Sequence, residues 1–384
     1  MRFSQVIGQE NIKTHLKQTI VNGRIAHAQL LTGKTGSGLL PIALAYASEL
    51  LCARYPEGSQ EYEQCRTKID HFAHPDLHFV YPVNTNDKIK KDAVSDDFAE
   101  EWRTFVETQP YGSLFDWLRS LGIENKQGNI IKKEALSISK KLSLKSYEGG
   151  FKVMLIWMAE FMNAECANTI LKLVEEPPEK TVLIMMAENP ERILNTIRSR
   201  CQILPVPTLT EQDVVNELKS RLSIDESEAR RYCLQAQGDL NRAAHFAAHD
   251  SEDEFFEDWF VSWVRSAYKA KKDKQVINEL IQWSEGMATE GRETQKKFVL
   301  YCLELFRQAL LENYGANDLV YYQAVKTSFK LENFAPFVHQ NNIEDIRDAL
   351  EEAYFHLERN GNSRLVFTDL SIQLTKLIHR SAAS

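Results

Sequence analysis

Residues 28–51, AQLLTGKTGSGLLPIALAYASELL, decide the fold. The mostly apolar run Ala28–Thr32 meets a glycine-rich turn, and the Ala- and Leu-rich stretch Leu39–Leu51 follows. This reads as strand, loop, helix. It is the setting of a P-loop, in which backbone N–H groups and a helix N-terminus cradle phosphate. Gly33, Gly36 and Gly38, with Ser37 between the last two, fit the spacing. A working loop then needs Lys to neutralise the β- and γ-phosphates and Ser/Thr to hold Mg²⁺, but Leu39 and Leu40 stand there. Lys34 lies earlier in the loop, away from the position from which a loop lysine folds over phosphate. The favoured reading is a turn that mainly reverses the chain between strand and helix.

Working outward, Val153–Met158 and Val182–Ala187 are unbroken apolar runs, expected of strands covered on both faces of a parallel sheet. Between them Asn163–Val174 has helical spacing and stops before Pro177-Pro178. The alternation predicts a doubly wound α/β core. In a P-loop ATPase the end of the Val153 strand would supply an acidic pair for Mg²⁺ and water; here the chain continues Trp157-Met158-Ala159-Glu160. Glu160 alone reads more simply as a favourable carboxylate at the start of a helix.

Three sections follow from the patterning: an α/β core over 1–207, a small helical lid over 208–250, and a helical bundle over 251–384. Glu211–Leu222 and Glu226–Gln237 are the lid's amphipathic candidates, with Gly238 as a helix end. The acidic run Asp250–Asp258 marks the junction with the bundle. Beyond it apolar residues recur at helical spacing: Val299, Leu303, Phe306 and Leu310, then Ile343, Ile346, Leu350 and Leu357. Residues 83–120 read as an insertion in the core, with a polar stretch Asn84–Asp97 and aromatics Trp102, Phe105, Phe115 and Trp117.

The 384 residues suit two or three domains, and 43% hydrophobic with 26% charged residues is a globular composition. A net charge of −8 argues against strong independent DNA binding. The six cysteines form no dense framework and the start MRFSQVIGQEN has no apolar core, which together imply a reducing cytoplasm. The longest uncharged apolar stretch, Thr35–Ser48, is too short to span a membrane.

The order of short motifs resembles a known family. Phe3-x-x-Val6-Ile7-Gly8-Gln9-Glu10 is followed by His27-Ala28-x-Leu30-Leu31-x-Gly33. Next come Ala167-Asn168 with Leu171-Lys172-x-x-Glu175-Glu176-Pro177-Pro178, then Asn189-Pro190 and Ile197-Arg198-Ser199-Arg200-Cys201. Together they resemble the bacterial clamp-loader AAA+ subunits, and the missing loop lysine and acidic pair resemble the delta-prime branch. Asn360-Gly361-Asn362-x-x-Leu365-x-Phe367-x-x-Leu370 is similar to the family's C-terminal collar.

The resemblance implies an AAA+ core, lid and oligomerising collar in an arc with motor (gamma/tau) and delta subunits. ATP would be held by the neighbouring subunit and none by this chain. Arg200, with Ser199 and Cys201 as its motif, is implied to be an arginine finger acting in trans on that ATP; the competing reading is a surface salt-bridge arginine. Arg198 reads as structural or a second contact, and Cys201 as a small packing residue without nucleophilic partners. Asn189 matches a sensor position or caps the turn at Pro190. Arg242, in Gly238-Asp239-Leu240-Asn241-Arg242, matches a lid sensor but is weighted toward pairing with carboxylates.

Family members often carry a four-cysteine zinc module before a His-Pro-Asp. Here Cys52, Cys65, His71 and His74 offer a Cys₂His₂ set, while the departure from C-x-x-C spacing favours a metal-free loop. The expected function is a non-hydrolysing clamp-loader subunit that helps load a sliding clamp on primed DNA. An active ATP-hydrolysing motor subunit is the alternative, and a general DNA-binding protein a third class.

Overall fold

Five short segments pair side by side as parallel strands: β1 (Ala28–Thr32), β2 (Leu77–Val80), β3 (Lys152–Ile156), β4 (Thr181–Ala187) and β5 (Gln202–Pro205). In this computed structural model the sheet order is β2-β3-β4-β1-β5, with Leu30 opposite Met185 on one side and Ile203 on the other. The structure describes all residues except 249–252, 272, 274, 317–318, 323, 325–328 and 382–384. Every residue of β3 and β4 is buried, which is why those strands read as solid apolar runs. β3 ends two residues earlier than the apolar run predicts, because Met158 turns the chain with φ 54°.

The chain divides into two compact units, Met1–Ile123 with Gln127–Ala247, and Glu124–Lys126 with Ala248–Ser384. The expected junction in the Asp250–Asp258 run lies partly outside the described residues.

In the first unit the helix Leu39–Cys52 is buried along nearly its whole length, on the sheet face formed by Leu31, Leu155, Ile184 and Met186. Helices Lys132–Ser143 and Ala164–Glu175 cover the opposite face through Ile138, Cys166 and Ile170. Asn163 caps the latter helix by accepting from Cys166 N at 2.8 Å, and the helix stops at Glu175, short of the prolines. Because β1, β3 and β4 are parallel, the glycine loop after β1 and the C-terminal ends of β3 and β4 open on one edge of the sheet. That is where open α/β sheets form their ligand crevices.

Residues 83–120 are built into this core. They form the helices Ala99–Thr108 and Leu114–Ser120. Trp102 stacks on Tyr81 with ring centres 4.0 Å apart, and Trp117 Nε1 donates to the carbonyl of Pro82 at 2.8 Å. The helices Glu211–Leu222, Glu226–Gln235 and Leu240–Ala247 surround a cluster of their own, centred on Val214, Leu218, Ala229 and Ala243. Thr210 and Asp213 form a capping box on the first of them. The second ends two residues before the predicted Gln237, which takes φ 54° ahead of Gly238.

The second unit is helical. Its long helices are Asp253–Ala270, Val276–Thr289, Arg292–Asn313, Ile343–Glu358 and Ser363–Leu377. Phe260, Trp263, Phe298, Phe306 and Phe367 form its centre, and Trp263 stacks on Trp283 at 5.1 Å. The residues at predicted helical spacing lie on Arg292–Asn313 and Ile343–Glu358. Among the described residues no helix is long and apolar enough to cross a membrane.

Candidate functional site

The glycine loop has the backbone of a phosphate cradle, with Gly36 at φ 73° and Gly38 at φ 93° immediately before the helix Leu39–Cys52. The side chains that follow are turned into the protein. Leu39 and Leu40 are 7% and 3% exposed and belong to the core cluster under the sheet. At the end of β3, Trp157 packs against Trp102 at 5.2 Å and Phe105 at 5.8 Å, both from the 83–120 segment. Where a metal-binding carboxylate would stand, an indole is locked in an aromatic cluster.

Three side chains of the same chain occupy the space around the loop. Glu188, which follows β4, accepts a hydrogen bond from Thr35 Oγ1 at 2.8 Å. Burial pushes its carboxyl up to about 8, and the nearby Glu160 and Asp239 add to the shift. Asp239 lies over Gly36 so closely that a methyl group there would collide with its carboxylate and with Leu240 N. It also accepts from Arg242 N at 3.1 Å, and its pKa too is raised by burial. Tyr111 sets its ring against Gly38, where an added Cβ would lie 3.0 Å from Cε1, and its hydroxyl accepts from Ile7 N at 2.8 Å. Carboxyl groups and a phenol thus face the loop where phosphate would need cations, and the nearby Lys34 is exposed.

Glu160 has a structural task. Its Oε1 accepts from the backbone N–H groups of Glu188 and Asn189 at 2.8 and 3.1 Å, holding the turn after β4. Asn189 is therefore fixed through its backbone at the head of the turn Pro190–Arg192. The Arg242 guanidinium lies over the Phe246 ring at 5.2 Å, and its charge partly offsets the burial that raises the Asp239 pKa. Its residue neighbours are thus an aromatic ring and a carboxylate.

Arg200 lies after the short helix Asn195–Arg198. Its Nε is 2.9 Å from Glu175 Oε1, with the two side chains 43% and 40% exposed, and its Nη1 donates to the carbonyl of Thr196 at 2.9 Å. Arg198 pairs with Glu191 at 2.5 Å. Ser199 Oγ donates to the carbonyl of Thr196, and Cys201 Sγ to that of Ile197. Burial pushes the Cys201 thiol up to about 11, which keeps it protonated and unreactive.

The structure does not bring the four candidates Cys52, Cys65, His71 and His74, the less favoured alternative, together as free ligands. Cys52 and Cys65 are bonded to each other as a disulfide, so neither sulfur is a free thiolate ligand. His71 follows the helix Gln60–Asp70 and takes no part in the group that does assemble: Cys65, His74 and Glu148, with candidate ligand atoms within 4.8 Å of one another. His74 Nδ1 accepts the Asp76 N–H at 3.1 Å, which puts the ring proton on Nε2, facing Glu148 Oε2 at 3.2 Å. Burial lowers the His74 pKa, so the ring stays neutral. Glu148 also takes Lys68 Nζ at 2.5 Å and Tyr55 Oη at 3.0 Å. These residues do not fit a zinc site; they form a covalent and hydrogen-bonded staple. The expectation of a reducing compartment, drawn from the sparse cysteines and the start of the chain, gave no sign of this pairing.

Tyr111, Glu188 and Asp239 escaped the sequence reading as a group. Asp239 stands inside the quoted lid segment without a role of its own and Glu188 adjoins Asn189, and those positions were their only signal. Tyr111 had none, since only the fold carries the 83–120 segment back to the loop.

Comparison with known proteins gives a consistent result. The profile of the family described as "DNA polymerase III, delta subunit" matches residues 8–210, more than half of the chain. The DNA polymerase III subunit delta' of Bacillus subtilis is 29% identical over 212 residues, covering 55% of this chain and 51% of that protein. The subunit tau of the same organism is 22% identical over 406 aligned residues, covering 100% of this chain and 63% of that protein. The subunit delta' of Pseudomonas aeruginosa is 30% identical over 186 residues, covering 47% and 44%. The chain thus spans from under half to under two thirds of the length of these relatives. With the profile match over its sheet and glycine loop, the chain belongs to the DNA polymerase III, delta subunit family.

Proposed function

We propose that this chain is a non-hydrolysing, delta-prime-type subunit of a clamp loader, and that it supplies Arg200 in trans to ATP held by a neighbouring motor (gamma/tau) subunit. The observation that carries the reading is the closed loop. Leu39 and Leu40 are core residues, and Glu188, Asp239 and Tyr111 stand where a triphosphate would be gripped. A nucleotide there would meet acidic groups and displace packed side chains, with no lysine to offset either cost.

Arg200 suits the transfer of its charge to a neighbour. An exposed pair such as Arg200–Glu175 is worth only about 0–1 kcal/mol, so exchanging the carboxylate for a γ-phosphate costs the chain little. A planar, permanently charged donor stabilises the charge that develops on that phosphate. In this reading the bundle over 251–384 is the collar that joins delta and motor subunits. Primed DNA is met only in the assembly, through its backbone, and the sliding clamp is served indirectly.

Equilibrium titration of the isolated chain with Mg-ATP tests the proposal. No saturable binding is expected, and tight binding with turnover would establish the motor alternative instead. Mixing the chain with motor and delta subunits and measuring the mass of the complex tests the partners.

A further inference from the structure

The 83–120 segment reaches the lid as well as the loop. Asp116, on the helix Leu114–Ser120, is 7% exposed. Its Oδ2 accepts from Asn241 Nδ2 at 2.7 Å, and its Oδ1 lies 3.1 Å from His245 Nε2; both partners are on the lid helix Leu240–Ala247. Burial opposes its charge, but hydrogen bonds from His245 and Ser113 outweigh it and hold the carboxyl well below its ordinary value. A few residues earlier Tyr111 packs on the lid's apolar cluster, holds the backbone of Ile7 through its hydroxyl, and covers Gly38. Gly112 allows this: a Cβ there would lie 2.7 Å from Phe105 Cζ, so the turn carrying Tyr111 presses directly on the aromatic cluster.

We infer that the 109–116 part of this segment is a strut that fixes the lid to the sheet core, doing in this chain what a bound nucleotide does where lid and loop both grip one. The apolar end of the strut is Tyr111, and the polar end is Asp116 with Asn241 and His245. The strut stands on contacts within this chain. Only the comparison with nucleotide rests on the function proposed above.

The test is amide hydrogen exchange on the full chain, wild type against Asp116→Ala and against the double variant Asn241→Ala/His245→Ala. The double variant leaves the Ser113–Asp116 capping box intact, so it reads the strut without disturbing the short helix that carries it. Amides of Glu211–Leu222 and Leu240–Ala247 are expected to exchange at least tenfold faster in both variants, with those of β1 and β4 unchanged. Lid exchange at the wild-type rate in the double variant would overturn the strut. Saturating Mg-ATP is expected to leave wild-type lid exchange unchanged. If it slows exchange, the nucleotide-free reading fails, while the variants still judge the strut on their own.

Discussion

Restoring the two missing loop residues, Leu39→Lys with Leu40→Thr, separates a site that lacks only its ligands from one that has been rebuilt as core. Leu39 and Leu40 are 7% and 3% exposed and pack in the cluster that includes Leu204 and Val206. Truncating a buried leucine costs about 2–5 kcal/mol, and the threonine keeps only part of the lost volume while adding a hydroxyl that needs a partner. The lysine has room to carry its charge out along the loop, so it adds about 1 kcal/mol for the lost apolar burial. A total of about 3–6 kcal/mol in a domain of this size corresponds to a fall of roughly 6–24 °C in Tm. Calorimetry measures the fall, and phosphate release with Mg-ATP measures activity. No turnover is expected, because Trp157 is held by Trp102 and Phe105, and Glu160, the carboxylate that follows β3, is engaged by the backbone of Glu188 and Asn189. Measured hydrolysis, or an unchanged Tm, would refute the argument that the loop has become part of the core.

Arg200→Ala should leave Tm within about 2 °C, as for the loss of an exposed ion pair, while lowering the DNA-stimulated ATPase of a reconstituted clamp loader by roughly tenfold or more. An unchanged rate would remove Arg200 from the mechanism. Glu188 gives a pH dependence of definite sign. Its folded carboxyl titrates near 8 against an ordinary 4.5, so the folded chain keeps a proton that the unfolded chain releases, and this group's contribution to stability falls as pH rises from about 4.5 to 8. Glu188→Gln should flatten that part of the Tm–pH curve, and an identical slope would show the carboxyl is not buried as described. Asp116 has the opposite sign: its pKa is depressed, so its contribution is present above the ordinary aspartate range and is lost on acidification, a low-pH loss that Asp116→Asn should diminish. Thiol titration in denaturant should find four free cysteines, Cys166, Cys201, Cys233 and Cys302. Reduction or Cys52→Ser/Cys65→Ser should lower stability by about 2–3 kcal/mol, as expected for a loop of 13 residues. Six free thiols would remove the staple.

Much of the architecture was legible because it rests on local rules. A strand buried on both faces must be apolar throughout, which marks β3 and β4. A helix must end ahead of Pro177, and periodic apolar residues mark the helices Arg292–Asn313 and Ile343–Glu358. β2 was not marked: it has four residues, one of them His78, too few for a periodicity to register. The loop's loss of chemistry was equally plain, since a lysine or hydroxyl absent from positions 39 and 40 cannot be supplied by folding.

Sequence by itself therefore determined the class of the sheet, the run of helices after it, and the absence of a phosphate-gripping cation, because each depends on residue type and near neighbours. What occupies the vacated space was decided only in three dimensions. Tyr111 against Gly38, Asp239 over Gly36, and Trp157 among the aromatics of a segment about fifty residues earlier are contacts between distant parts of the chain. Cys52 with Cys65 needed the same step: spacing alone left zinc and an open loop as alternatives, and the packing of two helices brought the sulfurs together. Local sequence sets backbone preference and burial tendency, but which side chains meet depends on how strands and helices are ordered across the sheet.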